Sequence, residues 1–187
     1  MKKGLIILVV VVVVALAIAG YAWSAYNKMV TTSEAIDGQW AQVETQYQRR
    51  LDLIPNLVES VKGIMKQEQT VFGDLAEART RYAGATTIND KAAAATQVEG
   101  ALARLLVVME NYPQLKSAET VQTLMAQLEG TENRVSVERG RFNELVRNFN
   151  VLIKRIPEKW LAGWFGFTVK NYFEAASGAE NAPAVQF

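Results

Sequence analysis

The chain has 187 residues, with Lys and Arg at 20, Asp and Glu at 19, and a formal net charge of +1. It has no histidine and no cysteine, which excludes zinc sites, Glu-x-x-His di-iron sites, Ser-His-Asp and Cys-His catalysis, and a lipid-modified cysteine anchor. The balanced charge gives no electrostatic case for nucleic acid, and no phosphate-cradling Gly-x-x-x-x-Gly-Lys loop is present.

The first element is an apolar run from Leu5 to Trp23, with no charged residue between Lys3 and Lys28. A helix rises about 1.5 Å per residue, so a run of this length spans a hydrocarbon core of about 30 Å. Ala17-Ile18-Ala19 has the small-x-small form of a signal-peptidase site. The run, however, is long for a signal peptide and passes into Tyr21, Trp23 and Tyr26, a pattern suited to an interfacial aromatic belt. The expectation is an uncleaved transmembrane anchor. Lys2 and Lys3 precede it and Lys28 alone closely follows, which puts the amino terminus in the cytoplasm and the bulk of the chain on the non-cytoplasmic side. Ala15 and Ala19 are spaced for close helix approach in the membrane.

From Ile36 the sequence steps by four and three through Trp40, Val43, Tyr47, Arg50, Ile54, Leu57, Val61, Ile64, Glu68, Val71, Leu75, Ala78 and Tyr82. A second seam runs through Ala95, Val98, Leu102, Leu105, Met109 and Tyr112. A third runs through Val121, Leu124, Leu128, Thr131, Val135, Glu138, Phe142, Leu145, Phe149, Leu152 and Ile156. This spacing predicts long helices packed by coiled-coil-like seams. Residues 84–90 read as a turn, with Asn89 or Asp90 able to cap the next helix. Asn111-Tyr112-Pro113 ends that helix, Ser117 can cap the following one, and Ile156-Pro157 closes the last. Short connections make successive helices antiparallel. At Pro55 the seam stays in phase, so periodicity allows either a kinked helix or a turn back into a separate one.

Five stretches carry a family resemblance: QRRLDLIPNLVESVKG at 48–63, ARLLVVMENYPQLKS at 103–117, LEGTENRVSVERGRFNELVRNFN at 128–150, GWFGFTVKNYFEA at 163–175 and the terminal APAVQF at 182–187. With YNKMV at 26–30 and the anchor, the chain resembles the LemA family over essentially its whole length. The resemblance implies bacterial membrane proteins, with related domains in magnetosome membranes, and supplies no activity. It implies an all-α fold: an N-terminal transmembrane helix followed by an antiparallel four-helix bundle with long helices, which favours a real turn near Pro55. The expected organisation is an anchor over 1–25, a helical bundle over 26–157, and an aromatic membrane-proximal segment with an extended tail over 158–187. The family pattern has Tyr and then His-Glu after Val-Lys-Gly, where this chain has Ile64 and Gln67-Glu68. That departure argues against a catalytic His in the family.

The polar residues that interrupt this pattern are the candidates for structure or interaction. Arg49, Arg50, Asp52 and Asn56 surround Pro55 and read best as a brace for freed backbone groups. Arg50, Glu68, Thr131 and Glu138 interrupt the apolar seams, where a charge needs a partner. Glu68 faces Arg104 if opposed residues across the turn at 85–86 sum to about 171, so the two are expected to form a buried pair. Glu132, Asn133 and Arg134 read as a solvated stripe, while Asn143 and Asn150, one heptad apart, suit hydrogen bonding between helices or subunits. Trp160, Trp164, Phe165 and Phe167 arrive beside the bilayer if the last helix descends toward it, and suit interfacial packing or a subunit contact. The tail ending at Phe187 reads as disordered or as an extended segment for groove capture.

These readings make the chain a structural or scaffolding protein at the bacterial cytoplasmic membrane. Its expected partners are the lipid bilayer, further copies of itself and a membrane or periplasmic protein, with no nucleic acid, cofactor or metal. An extracytoplasmic binding module for a peptide or small polar ligand is the alternative. A hydrolase using carboxylates alone needs two of them about 5 to 5.5 Å apart in a cleft, which a closed bundle does not offer.

Overall fold

A computed structural model describes residues 2–173; the tail and Phe187 lie outside the described residues. Six helices are present among them: α1 (Lys2–Lys62), α2 (Gln69–Gly84), α3 (Ile88–Met109), α4 (Pro113–Lys116), α5 (Glu119–Lys154) and α6 (Glu158–Phe165). The fold is all-α, with an apolar N-terminal helix and a helical bundle. Two of these helices are long and apolar enough to cross a membrane, α1 and α3. In α1 the apolar residues from Leu5 to Ile18 are exposed, whereas α3 buries a full face through Ala94, Ala95, Val98, Ala101, Leu102, Leu105 and Met109. A helix whose apolar stripe is buried in protein is a core helix, so α1 is the candidate span.

The expected turn near Pro55 is absent. Pro55 lies inside α1, which continues to Lys62. The proline leaves the Leu51 carbonyl without its usual donor, but Leu51, Ile54, Leu57 and Val61 on either side are buried. Their packing outweighs one lost hydrogen bond. The chain turns instead at residues 63–68, where the helix ends and Met65 rather than Ile64 is buried. The proposed brace also dissolves. Asp52 is exposed and accepts from Gln48 Nε2 at 2.8 Å, Arg49 and Asn56 are exposed, and Arg50 points into the core.

The described residues form two compact units: residues 2–38 with 143–172, and residues 39–142 with Phe173. In the second unit, part of α1 packs with α2, α3 and part of α5. Contacts of Gln39 with Glu138 and of Arg50 with Glu132 run α5 antiparallel to α1. Glu44 with Lys91 and Tyr47 with Glu99 run α3 parallel to it. Asp74 with Arg104 and Arg81 with Gln97 run α3 antiparallel to α2. The order is therefore up, down, up, down. The α2–α3 turn is tied by Thr87, whose hydroxyl accepts from Asp90 N at 3.1 Å and donates to Asp90 Oδ2 at 2.7 Å. Thr87 is thus the N-cap of α3, in the role expected of Asn89 or Asp90. Ser117 donates to the Gln114 carbonyl at 3.0 Å and does not cap α5.

The other unit holds the apolar start of α1, the end of α5, α6 and the segment after it. Gly166 ends α6 with φ 79°, a left-handed conformation that favours glycine. The Phe167 amide donates to the Ala162 carbonyl at 2.9 Å, and the chain reverses. Phe167 then packs on Phe149 and Tyr26, with ring centroids 6.2 and 6.0 Å apart.

Candidate functional site

The main polar cluster lies inside the bundle. Arg50, on α1, has a side chain only 9% exposed and is paired with Glu132 on α5. It also lies 3.8 Å from Glu99 on α3. Glu99 accepts from the Tyr47 hydroxyl at 2.7 Å and is paired with Arg139. The Arg139 guanidinium sits over the Phe173 ring, with Cζ 4.2 Å from its centroid, and 5.2 Å from that of Tyr47. Two arginines and two glutamates thus lie within pairing distance of one another, and the aromatic faces stabilise one cation. Burial, with the Glu132 carboxylate nearby, pushes the Glu99 carboxyl up to about 7, against the pull of Arg50. Burial also lowers Arg139 to about 10.

Beside this cluster, α3, α4 and α5 enclose a groove of about 810 Å³. Leu102, Leu106, Met109 and Met125 line its apolar wall, and Arg50 and Glu132 close one side. Its size and mostly apolar lining suit a side-chain-bearing ligand more than an ion.

The cluster brings together Arg50 and Glu132 and leaves the other candidates elsewhere. Glu132 is a partner of the buried arginine and not part of a solvated stripe, while Asn133 and Arg134 are exposed. Glu138 accepts from Gln39 Nε2 at 2.7 Å and from Arg141 Nη1 at 2.8 Å. Thr131 bonds back to the Leu128 carbonyl at 2.7 Å. Asn143 is half-buried. Asn150 hydrogen-bonds the backbone of Lys170 and not another helix.

The expected Glu68–Arg104 pair is not formed. Arg104 Nη1 lies 3.2 Å from Asp74 Oδ2, and Glu68 accepts from the Tyr112 hydroxyl at 3.2 Å. Opposed residues across the α2–α3 turn sum to 178, as Asp74 with Arg104 and Arg81 with Gln97 show. Glu68 stands at the N-cap position ahead of α2, which begins at Gln69, so it is not on the helix face that α3 meets, and Arg104 finds Asp74 six residues further along. Arg104 is 74% exposed.

Glu99, Arg139 and Tyr47 escaped the sequence argument as members of one polar site. The signal was present: Glu99 stands four residues after Ala95 and three before Leu102, and Arg139 four after Val135 and three before Phe142. Both therefore share the seam faces.

The aromatic segment forms its own arrangement. Trp160 and Trp164 on α6 are 68% and 85% exposed. Phe165 packs edge-on against Tyr26 with centroids 4.9 Å apart, and Tyr21 donates to Glu158 Oε1 at 2.9 Å. Among the described residues no group of three or more acidic side chains could hold a metal ion.

The sequence pattern of the LemA family matches residues 39–187. Among similar proteins, Magnetosome protein MamQ 2 of Paramagnetospirillum magneticum is 26% identical over 175 residues, 80% of this chain. Magnetosome protein MamQ of Magnetospirillum gryphiswaldense is 27% identical over 174 residues, 79% of this chain. The chain spans 64% of the length of each, less than two thirds.

Proposed function

The chain belongs to the LemA family, and from that premise we propose that it is a non-enzymatic structural protein: a membrane-anchored helical bundle that self-associates or organises partners at the bacterial cytoplasmic membrane. The observation that carries this reading is α1, in which the apolar run and the first helix of the bundle are one helix. Such continuity supports an anchor that is retained, since cleavage after Ala19 would cut the helix. Flanking lysines favour a cytoplasmic amino terminus with the bundle on the opposite side. The polar cluster supports a structural role as well. Its charges are paired with one another, and paired buried charges are a recognised way of fixing helix register. The relatives are called magnetosome proteins, a name that gives a place and no reaction.

The groove beside Arg50 favours a second reading, a module that captures an amphipathic peptide helix by its apolar residues. One experiment separates the two: purification from membranes, native mass measurement and identification of co-purified chains. A symmetric homo-oligomer with Lys2 and Lys3 still present supports the scaffold. A single chain with one stoichiometric peptide or protein partner supports the module. A mature start near Gly20 refutes the retained anchor.

A further inference from the structure

We propose that α6 is a membrane-contact element, which inserts Trp160 and Trp164 into the phospholipid headgroup region of the leaflet from which the anchor emerges. This rests on the reading of α1 as a span. Tyr21 and Tyr26 of α1 hold the two ends of α6, through the bond to Glu158 and the ring contact with Phe165. Along α1 those tyrosines are five residues apart, a rise of about 7.5 Å at 1.5 Å per residue. Trp23, where the apolar run ends, lies between them and is itself 73% exposed. The zone between hydrocarbon and water is about 5–8 Å deep on each side of a bilayer. If α1 spans, α6 stands within that zone.

The chemistry of α6 suits the place. Trp160 and Trp164 are four residues apart and share one helix face. Exposed tryptophans in water are costly, whereas their amphipathic rings favour the interface. Lys28 and Arg155 lie close enough to Glu158 to act on its carboxylate, and Lys159 adjoins Trp160 in the chain. Lys28 and Arg155 line the same small cleft, of about 240 Å³. This cationic rim complements anionic phospholipid headgroups. It opposes the other occupant worth weighing, a second copy of the same surface, because two such rims repel.

The test uses the full-length chain in vesicles of phosphatidylcholine and phosphatidylglycerol. Four variants each retain one of Trp23, Trp40, Trp160 and Trp164, with the other three changed to Phe. Brominated lipid is expected to quench Trp160 and Trp164 to within about twofold of Trp23. Trp40, buried against Phe142 with centroids 5.5 Å apart, serves as the protected reference. Quenching of both α6 tryptophans no greater than that of Trp40 overturns the proposal. The unsubstituted chain supplies an independent measurement, by photo-crosslinking to a diazirine-bearing phosphatidylglycerol and peptide mass mapping. Lipid adducts within 158–165 are expected. Adducts confined to 5–23, or crosslinks from α6 to another copy of the chain, refute it. Loss of quenching at Trp23 as well, with an unlabelled anchor, marks failure of the span itself.

Discussion

The side chain of Asn150 pairs with the backbone of Lys170 in both directions: Nδ2 donates to the carbonyl, and Oδ1 accepts from the amide, each at 2.9 Å. One amide side chain on α5 thereby replaces the partner strand that the extended segment after α6 lacks. Asn150 is buried, so its loss leaves two backbone groups without partners. Each costs about 1–3 kcal/mol if it stays dry. Asn150→Ala is expected to loosen residues 166–172 and to destabilise that unit by on the order of 2 kcal/mol. Faster amide exchange at Lys170, with α3 unchanged, is the outcome to look for. Unaltered exchange there would show that water replaces the asparagine freely.

Glu99 gives the bundle a pH dependence of unusual sign. Its carboxyl titrates at about 7 in the folded chain against 4.5 ordinarily. Between those values the folded state holds a proton that the unfolded chain has released. Stability from this group is therefore full below about 4.5, falls as pH rises, and levels off above about 7. The chain has no histidine or cysteine, the side chains that ordinarily titrate closest to neutral pH. Unfolding of the full chain in detergent is expected to show a loss on the order of 1–3 kcal/mol between pH 5 and pH 8. Glu99→Gln is expected to flatten that slope. A slope that survives the substitution assigns it to another group.

Arg50 and Arg104 make a matched contrast. Arg50 is buried between two carboxylates, and removing one partner of a buried pair costs about 3–5 kcal/mol. Glu132 is itself 46% exposed, so Arg50→Ala is expected at the lower end, on the order of 3 kcal/mol. Arg104, mostly exposed beside Asp74, is expected to lose less than about 1 kcal/mol as Ala. Chemical denaturation of the two variants ranks them, and equal losses would contradict the observed pairing.

The contrast also shows how far the sequence reaches. The apolar steps from Trp40 to Val61 and from Ala95 to Met109 mark buried faces, because packing enforces one period over many residues. Single contacts depend on where a turn begins. The chain turns at 63–68 and leaves Glu68 at the N-cap of α2, where it meets Tyr112, while Arg104 meets Asp74 within the helix. Glu99 and Arg139 stand on seam faces, but their meeting depends on the register of three helices at once. Periodicity along each helix does not contain it. Asn150 was recognisable as a hydrogen-bonding residue, while its partner, the Lys170 backbone, carries no side-chain signal.

Pro55 offers the last prediction. Within a helix, proline removes one hydrogen bond and is about 3 kcal/mol less favourable than alanine. α1 nevertheless runs through it to Lys62, held by Ile54 and Leu57, both almost fully buried. Replacement by alanine returns an N–H to the Leu51 carbonyl and relieves the clash of the ring with that turn. Against this stands lost packing, because Pro55 borders a small depression with Phe72 and Leu75. The ring is half-buried, so only part of its apolar area is at stake, about 1 kcal/mol at roughly 25 cal/mol per Å². Pro55→Ala is therefore expected to stabilise the full chain by about 1–2 kcal/mol and to slow amide exchange at residues 51–58. A lower unfolding temperature would mean that proline packing against α2 matters more than the missing hydrogen bond, and that the helix is shaped at this point to fit its neighbour.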